Sequence, residues 1–226
     1  MTDPLLLHLD RQIVVCRKPP GMLSASGETD LPHRLAALLS DRGEPDDIFV
    51  VHRLDRETGG VIVYARTRDA AATLSSALKK GTVQKTYLCV LQGTPDPASG
   101  VLRDLLFRDA HRNKSFVVKR SRKGVRPAVL TYDMLAECPQ DADTISLVRV
   151  LLGTGRTHQI RVQFASRGHP VLGDGKYGGG SSRCRLALWA VGLTIPHPET
   201  GEPVSFTSPP PADWPWTAFP VETSMI

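Results

Sequence analysis

The sequence predicts an α+β fold built on a mixed, mainly antiparallel β-sheet. Three observations carry that expectation. Runs rich in β-branched residues outnumber helical patterns, they follow one another directly in the second half of the chain, and Pro, Gly and Asp punctuate the gaps between them. The chain has 226 residues, 41% hydrophobic and 23% charged, which is ordinary for a globular protein. A disordered, collagen-like or coiled-coil chain is excluded, and the length suffices for a core that needs no metal or disulfide staple.

Taken in order, Ile13, Val14 and Val15 read as a strand stopped by Pro19-Pro20-Gly21. Leu31, Leu35, Leu38 and Leu39 recur at helical spacing, with Pro32 in the tolerant first turn. Residues 61–64 form a second β-rich run. Asp69 is placed to cap a helix over 70–80, which the basic end Lys79-Lys80 and Gly81 terminate. Residues 86–91 read as a strand closed by Gly93, and Pro95, Pro97 and Gly100 mark an exposed connection. Residues 128–135 and 144–152 predict neighbouring antiparallel strands joined through Pro139-Gln140-Asp141. Ile160 and Phe164 predict a helix over 157–166 that ends at Gly168, and 186–195 is a last strand. An extended tail at 208–211 leads to Trp214 and Trp216, which are expected to pack on the body.

The whole chain, 1–226, reads as one catalytic-size domain without internal repeats. The first ten residues lack a basic n-region, and no apolar run reaches membrane-spanning length. Cys16, Cys89, Cys138 and Cys184 are scattered, with no CxxC pair, so reduced and mostly buried thiols in a cytoplasmic protein are expected, with no structural zinc.

The net charge is +5, and its excess is local. Arg112, Lys114, Lys119, Arg120, Arg122, Lys123 and Arg126 fall within 111–126 with no acid among them, and the rest of the chain is slightly acidic. A solvated loop explains such a run. A phosphate-contacting surface explains it better, because clustered cations release counterions from a nucleic-acid backbone, and Phe116-Val117-Val118 in the middle reads as an ordered strand.

Two motifs carry candidate chemistry. His52-Arg53-Leu54-Asp55-Arg56-Glu57-Thr58-Gly59-Gly60 packs titratable groups between two core-forming runs. Neighbouring guanidinium groups favour the ionised form of a carboxylate, and an ionised carboxylate serves as nucleophile or base. Asp55 and Glu57 are both candidates on spacing alone. Gly153-Thr154-Gly155-Arg156-Thr157-His158-Gln159-Ile160-Arg161 places two arginines at the start of a helix. It is not a full dinucleotide fingerprint, and Gly173-Asp174-Gly175-Lys176-Tyr177 lacks the residues of a phosphate loop. A metal hydrolase using His52, Asp55 and His158 is a weak reading for want of ligand spacing. Lys85-Thr86-Tyr87 gains interest only beside these motifs.

Together these blocks resemble the RluA-type pseudouridine synthases. The match includes Arg17-Lys18-Pro19-Pro20-Gly21, the 52–60 block, Lys85-Thr86-Tyr87, the 155–162 block and Gly168-His169-Pro170-Val171-Leu172-Gly173-Asp174, in the family's order. The family's usual Thr-Ser-Gly is Thr58-Gly59-Gly60 here. The resemblance implies an isomerase that converts uridine in rRNA or tRNA to pseudouridine, in one α+β domain with a central RNA cleft. It implies no cofactor and no metal. Its alternative is a catalytically silent RNA-binding relative acting as a chaperone.

By resemblance Asp55 is the catalytic carboxylate, attacking the sugar or ring carbon or removing the 2′ proton. Tyr87 stacks on the uracil, and Arg161 pairs with Asp55, with Arg156 the competing partner. Arg53 is a candidate to fill the space a flipped base leaves. Arg56, Lys85, Arg156 and His158 join it as RNA-contacting candidates, with Lys119, Arg120, Arg122 and Lys123 from the basic segment. The first family motif begins close to residue 1, so no accessory S4 domain is expected ahead of it. RNA recognition then falls to the catalytic domain and the insertion at about 111–126, in a protein expected to be a cytoplasmic monomer bound to no membrane.

Overall fold

The computed structural model describes residues 5–25, 27, 30–140, 143–178 and 184–219. The chain divides into two compact units. The first comprises residues up to Lys85 together with Ala190–Pro209, and the second comprises Thr86–Trp189 and the residues from Pro210 onward.

In the first unit the strands are β1 (Leu6–Leu9), β2 (Ile13–Lys18), β3 (Phe49–Val50) and β4 (Gly59–Ala65), with helices α1 (Leu31–Ser40) and α2 (Arg68–Lys80). β2 pairs antiparallel with both β1 and β4, and β3 adds to β4. Every residue of β4 is buried, so this strand is covered on both faces and its sequence reads as a continuous apolar run. One face of the pair, Ile13, Val15, Val61, Val63 and Ala65, packs with Ala70, Leu74 and Ala77 of α2. Those positions alternate along the strands and fall at i, i+4 and i+7 along the helix, as burial on one side requires.

The second unit holds β5 (Gln84–Gln92), β6 (Ser99–Asp109), β7 (Lys114–Val118), β8 (Val125–Pro139), β9 (Thr144–Leu152) and helix α3 (Gln159–Ala165). β5 pairs with β9, β9 with β8, β8 with β6 and β6 with β7, all antiparallel. Val162 of α3 packs on Leu106 and Ala128, and Phe164 meets the Tyr132 ring edge-on at 5.3 Å. The strands β10 (Leu188–Pro196) and β11 (Pro203–Thr207) form a hairpin that belongs to the first unit, and in the second unit a 3-10 turn at Trp216–Ala218 buries Trp216 as expected. Cys16 in β2 and Cys89 in β5 are buried, while Cys138 and Cys184 are half-buried. Among the described residues no helix is long and apolar enough to cross a membrane.

The α+β, mainly antiparallel architecture is thus the predicted one, and the differences are local. The cap of α2 is Thr67 and not Asp69: Thr67 is extended and its hydroxyl accepts the Ala70 N–H, so the helix starts two residues earlier. Asp69 instead lies in the first turn, where a negative charge suits the helix dipole. Gly100 belongs to β6 and not to a loop. It faces Tyr132, where a Cβ would come within 3.3 Å of the ring. α3 is shorter than expected because His158 is left-handed (φ 54°), which stops the helix from extending toward Thr157. β8 and β9 are the neighbouring antiparallel strands expected, with Pro139 the last paired residue of β8, opposite Thr144, and not part of the connection; Asp141 lies outside the described residues.

Gly60 opens β4 at φ +116°, and a Cβ there would sit 2.2 Å from the Ala190 carbonyl oxygen. Gly60→Ala is therefore expected to destabilise the fold by well over about 1 kcal/mol in denaturant titration. Thr67→Ala, which removes the cap of α2 together with the Thr67 hydroxyl's hydrogen bond to Gln12 Oε1, is expected to cost about 1 kcal/mol.

Candidate active site

The predicted site residues fall in two groups, one in each unit. In the first, Asp55 lies on the loop that joins β3 to β4, and this loop is anchored at every second residue. His52 Nε2 accepts the Val63 N–H at 3.3 Å. The Ser24 hydroxyl donates to the Leu54 carbonyl at 2.8 Å and accepts the Leu54 N–H at 3.2 Å, while Tyr64 donates to the Ser24 carbonyl at 3.0 Å. The Arg56 carbonyl takes Lys18 Nζ at 2.9 Å and the Gly21 N–H at 2.8 Å, and Arg56 Nε donates back to the Gly21 carbonyl at 2.9 Å. Arg53 and Asp55 lie between these anchors, and Glu57 follows the last of them. Arg53 and Glu57 are exposed, Asp55 is half-buried, and the loop closes with the Thr58 N–H on the Asp55 carbonyl at 3.1 Å.

Lys18 is fully buried at 0% exposure, at the end of β2 opposite Gly60. Its ammonium also donates to the carbonyls of Pro19 and Met22, so all three protons have acceptors. Burial pushes it down to about 8, against the opposing pull of Glu57 and then Asp55. It therefore stays charged at neutral pH. Lys18, Ser24 and Tyr64 were not singled out in the sequence for this role; the signal available was Lys18 and Gly21 within the Lys-Pro-Pro-Gly block.

The His52 ring occupies an apolar pocket with Val51, Val63, Leu74, Leu78, Val83 and Ile195. Burial, assisted by the Lys85 charge, pushes it down to about 3. A neutral imidazole is what a ring nitrogen accepting a backbone N–H requires. Lys85 is partly buried, and burial lowers it below its ordinary value.

In the second unit Tyr87 lies on β5 opposite Val150 and is only 7% exposed. Arg161 sits on α3 and is 6% exposed. Its Nε and Nη2 donate to the two Asp174 oxygens at 2.7 and 2.8 Å, a bidentate pair. Asp174 is 1% exposed and also accepts the N–H groups of Lys176 (2.9 Å) and Tyr177 (3.2 Å). Gly173 makes that turn accessible: at φ +77° a Cβ would lie 2.2 Å from the Arg185 carbonyl oxygen. His158 is buried, with Nδ1 2.9 Å from the Tyr177 hydroxyl. Arg156 is exposed and its Nε donates to the Pro127 carbonyl at 3.0 Å. Lys119, Arg120, Arg122 and Lys123 are exposed in the segment after β7, with the Arg122 guanidinium 4.8 Å from the Phe107 ring centroid. Asp174 and Tyr177 are the residues that sequence reasoning left without a role.

The geometry offers an anchored carboxylate, a shielded tyrosine, a charge-paired arginine and an exposed basic segment. Comparison with known proteins gives this set its context. Residues 12–166 match the family described as RNA pseudouridylate synthase. The chain is 36% identical over 214 residues to a protein of Bacillus subtilis (strain 168) named uncharacterized RNA pseudouridine synthase YhcT, covering 92% of this chain and 69% of the relative. It is 33% identical over 209 residues to the dual-specificity RNA pseudouridine synthase RluA of Escherichia coli (strain K12), covering 91% and 92%. The solved structure of human RNA pseudouridylate synthase domain containing 4 superposes with a TM-score of 0.76 at 25% identity, covering 91% of this chain and 88% of that one. The chain belongs to the RNA pseudouridylate synthase family, and within it to the RluA type. It is an isomerase that converts uridine in RNA to pseudouridine.

The His52 environment fixes a pH response. The unfolded chain protonates this histidine near 6.5 and the folded chain only near 3. Between those values the unfolded state binds more protons, so stability is complete above 6.5 and declines as pH falls below it. Urea midpoints are expected to drop between pH 7 and pH 4.5 in the wild type, and to drop less steeply in His52→Gln.

Proposed function

We propose that the chain isomerises a uridine of rRNA or tRNA with Asp55 as catalytic carboxylate, Tyr87 as the ring that receives the uracil and Arg161 as the charge partner of the reaction. The observation that carries this reading is the anchoring of residues 52, 54 and 56, which fixes the backbone on both sides of Asp55. A carboxylate that attacks or takes a proton must be held in line with its target, and such positioning supplies much of the rate. A relative from Neisseria meningitidis serogroup B, 34% identical over 232 residues and named ribosomal large subunit pseudouridine synthase D, supports a ribosomal target.

The reaction is an internal exchange. The C1′–N1 bond breaks, the C1′–C5 bond forms, C5 gives up its proton and N1 gains one. No electrons and no groups enter or leave. C1′ and C5 are shielded in a stacked helix, so the nucleotide must first leave the stack, at a cost of a few kcal/mol. Exposed Arg53 is suited to the vacated space, and exposed Arg156 to a phosphate. Exposed Arg56 joins them on the RNA path, and Lys85 and His158 support it from less open positions. Lys119, Arg120, Arg122 and Lys123 grip the backbone. The enzyme works as a cytoplasmic monomer.

Release of tritium from RNA carrying [5-³H]uridine reports C5 proton loss directly. Wild type is expected to release it and Asp55→Asn, which keeps the shape and removes the charge, to release none while still binding RNA. Retained turnover in that variant would transfer the role to Glu57. Fractionated rRNA and tRNA as substrates decide the target class.

Charge on the basic segment is read by salt. Replacing Lys119, Arg120, Arg122 and Lys123 with Gln is expected to weaken RNA binding and to flatten its log–log salt slope by about 0.7 for each single-strand phosphate left without its cation. An unchanged slope removes the segment from the RNA footprint.

A further inference from the structure

The basic segment does not project freely from β6 and β7. The short stretch 174–177 holds it, and the same stretch holds Arg161. Lys176 Nζ donates to the Asn113 carbonyl at 2.8 Å, at the tip of the β6–β7 hairpin. The Tyr177 hydroxyl accepts the Ser115 N–H at 2.7 Å, on β7 itself. Ser115 in turn donates its hydroxyl to the Thr157 carbonyl at 2.7 Å, just ahead of α3. At the other end of the stretch the Asp174 carboxylate grips Arg161.

The Tyr177 ring closes the link. The Lys114 ammonium lies 5.0 Å from its centroid and the Arg161 guanidinium 5.3 Å. One side chain therefore meets a cation of the arm, the backbone of the arm, His158 and Arg161. β7 ends the strand order of its unit, so in-sheet pairing holds it from β6 and Tyr177 holds it at Ser115.

We propose that Tyr177 is a positioning residue that sets the register between RNA gripped by the basic arm and Arg161. This rests on the reading of the arm as an RNA-binding surface. Cations on an arm supply affinity wherever the arm stands. Turnover needs the bound strand to present its uridine at a set distance from Arg161, and an error of about 1 Å is costly. Burial raises the Tyr177 phenol above its ordinary value, against the opposing pull of the Ser115 N–H and Arg161, so the hydroxyl stays protonated at neutral pH.

A double-mutant cycle tests this. Tyr177→Phe keeps the ring and its cation contacts and removes only the hydroxyl. The second arm is the four-fold Gln variant at Lys119, Arg120, Arg122 and Lys123. Tritium release gives kcat/KM for the wild type, each variant and their combination, with the salt slope of RNA binding measured alongside. Tyr177→Phe is expected to lower kcat/KM about tenfold and to leave the salt slope unchanged. The combination is expected to be no worse than the four-fold variant alone, because a register matters only while the arm holds RNA. Losses that multiply show that the hydroxyl serves the fold alone, and they overturn the proposal. So does an unchanged kcat/KM in Tyr177→Phe. Lys176→Met cuts the link to Asn113 near the surface and is expected to show the same sub-additivity; multiplying losses there count against the proposal equally. Full RNA affinity in the four-fold variant overturns the RNA reading of the arm, and that single measurement separates this failure from the others.

Discussion

A buried ammonium organises the loop on which the chemistry depends. Lys18 places one proton on each of three carbonyls, and the third belongs to Arg56, the residue after Asp55. A lysine with no exposed surface is costly unless every proton finds an acceptor. Here the acceptors come from two segments that are far apart in the chain, so satisfying the charge and joining the segments are one event. The flanking anchors are of a different kind, the imidazole nitrogen of His52 and the Ser24 hydroxyl on the Leu54 backbone. The outcome is an extended stretch without strand partners of its own that is nonetheless held like one.

The second unit uses the same logic with the sign reversed. Asp174 is a buried carboxylate that accepts four hydrogen bonds, from two guanidinium donors and two backbone N–H groups, three of them on Oδ1 and one on Oδ2. Removing either member of such a pair strands a charge, at a cost of about 3–5 kcal/mol. For an isomerase that exchanges one bond for another within a single nucleotide, fixed placement is the main thing a protein can contribute. Two buried charges, each saturated, are a direct way to obtain it.

The architecture was legible where short β-branched runs stop at turn residues or where apolar residues recur at helical spacing. Residues 13–15, 61–64 and 144–152 are strands of the first kind, and 31–39 is a helix of the second. Strand β6 was missed over much of its length because Arg103, Asp104, Arg108 and Asp109 interrupt the apolar pattern on a sheet with a solvated face. Thr67 lost the cap assignment to Asp69 because both are good cap residues and only the backbone chooses. In the site, the chemistry-bearing residues stood out as unusual types in a core context, whereas their supports did not. Lys18, Ser24 and Tyr177 reach partners tens of residues away, and Asp174 reaches Arg161 across 13, which no local spacing displays. The stretch 173–177, which fails as a phosphate loop by its composition, turns out to need its glycine for a close approach, its aspartate for Arg161, and its lysine and tyrosine for the hairpin.

The cysteines have a practical meaning beyond their redox state. Cys16 is sealed in β2 of the first unit and Cys89 in β5 of the second, and burial pushes the Cys89 thiol up, away from the reactive thiolate. A thiol reagent reaches each only when its own strand opens. With the half-buried Cys138 and Cys184 replaced by alanine, the chain carries one concealed label in each unit. Pulse alkylation followed by peptide mapping would then time the opening of the carboxylate-bearing unit and of the arm-bearing unit separately, within one molecule and without any added probe.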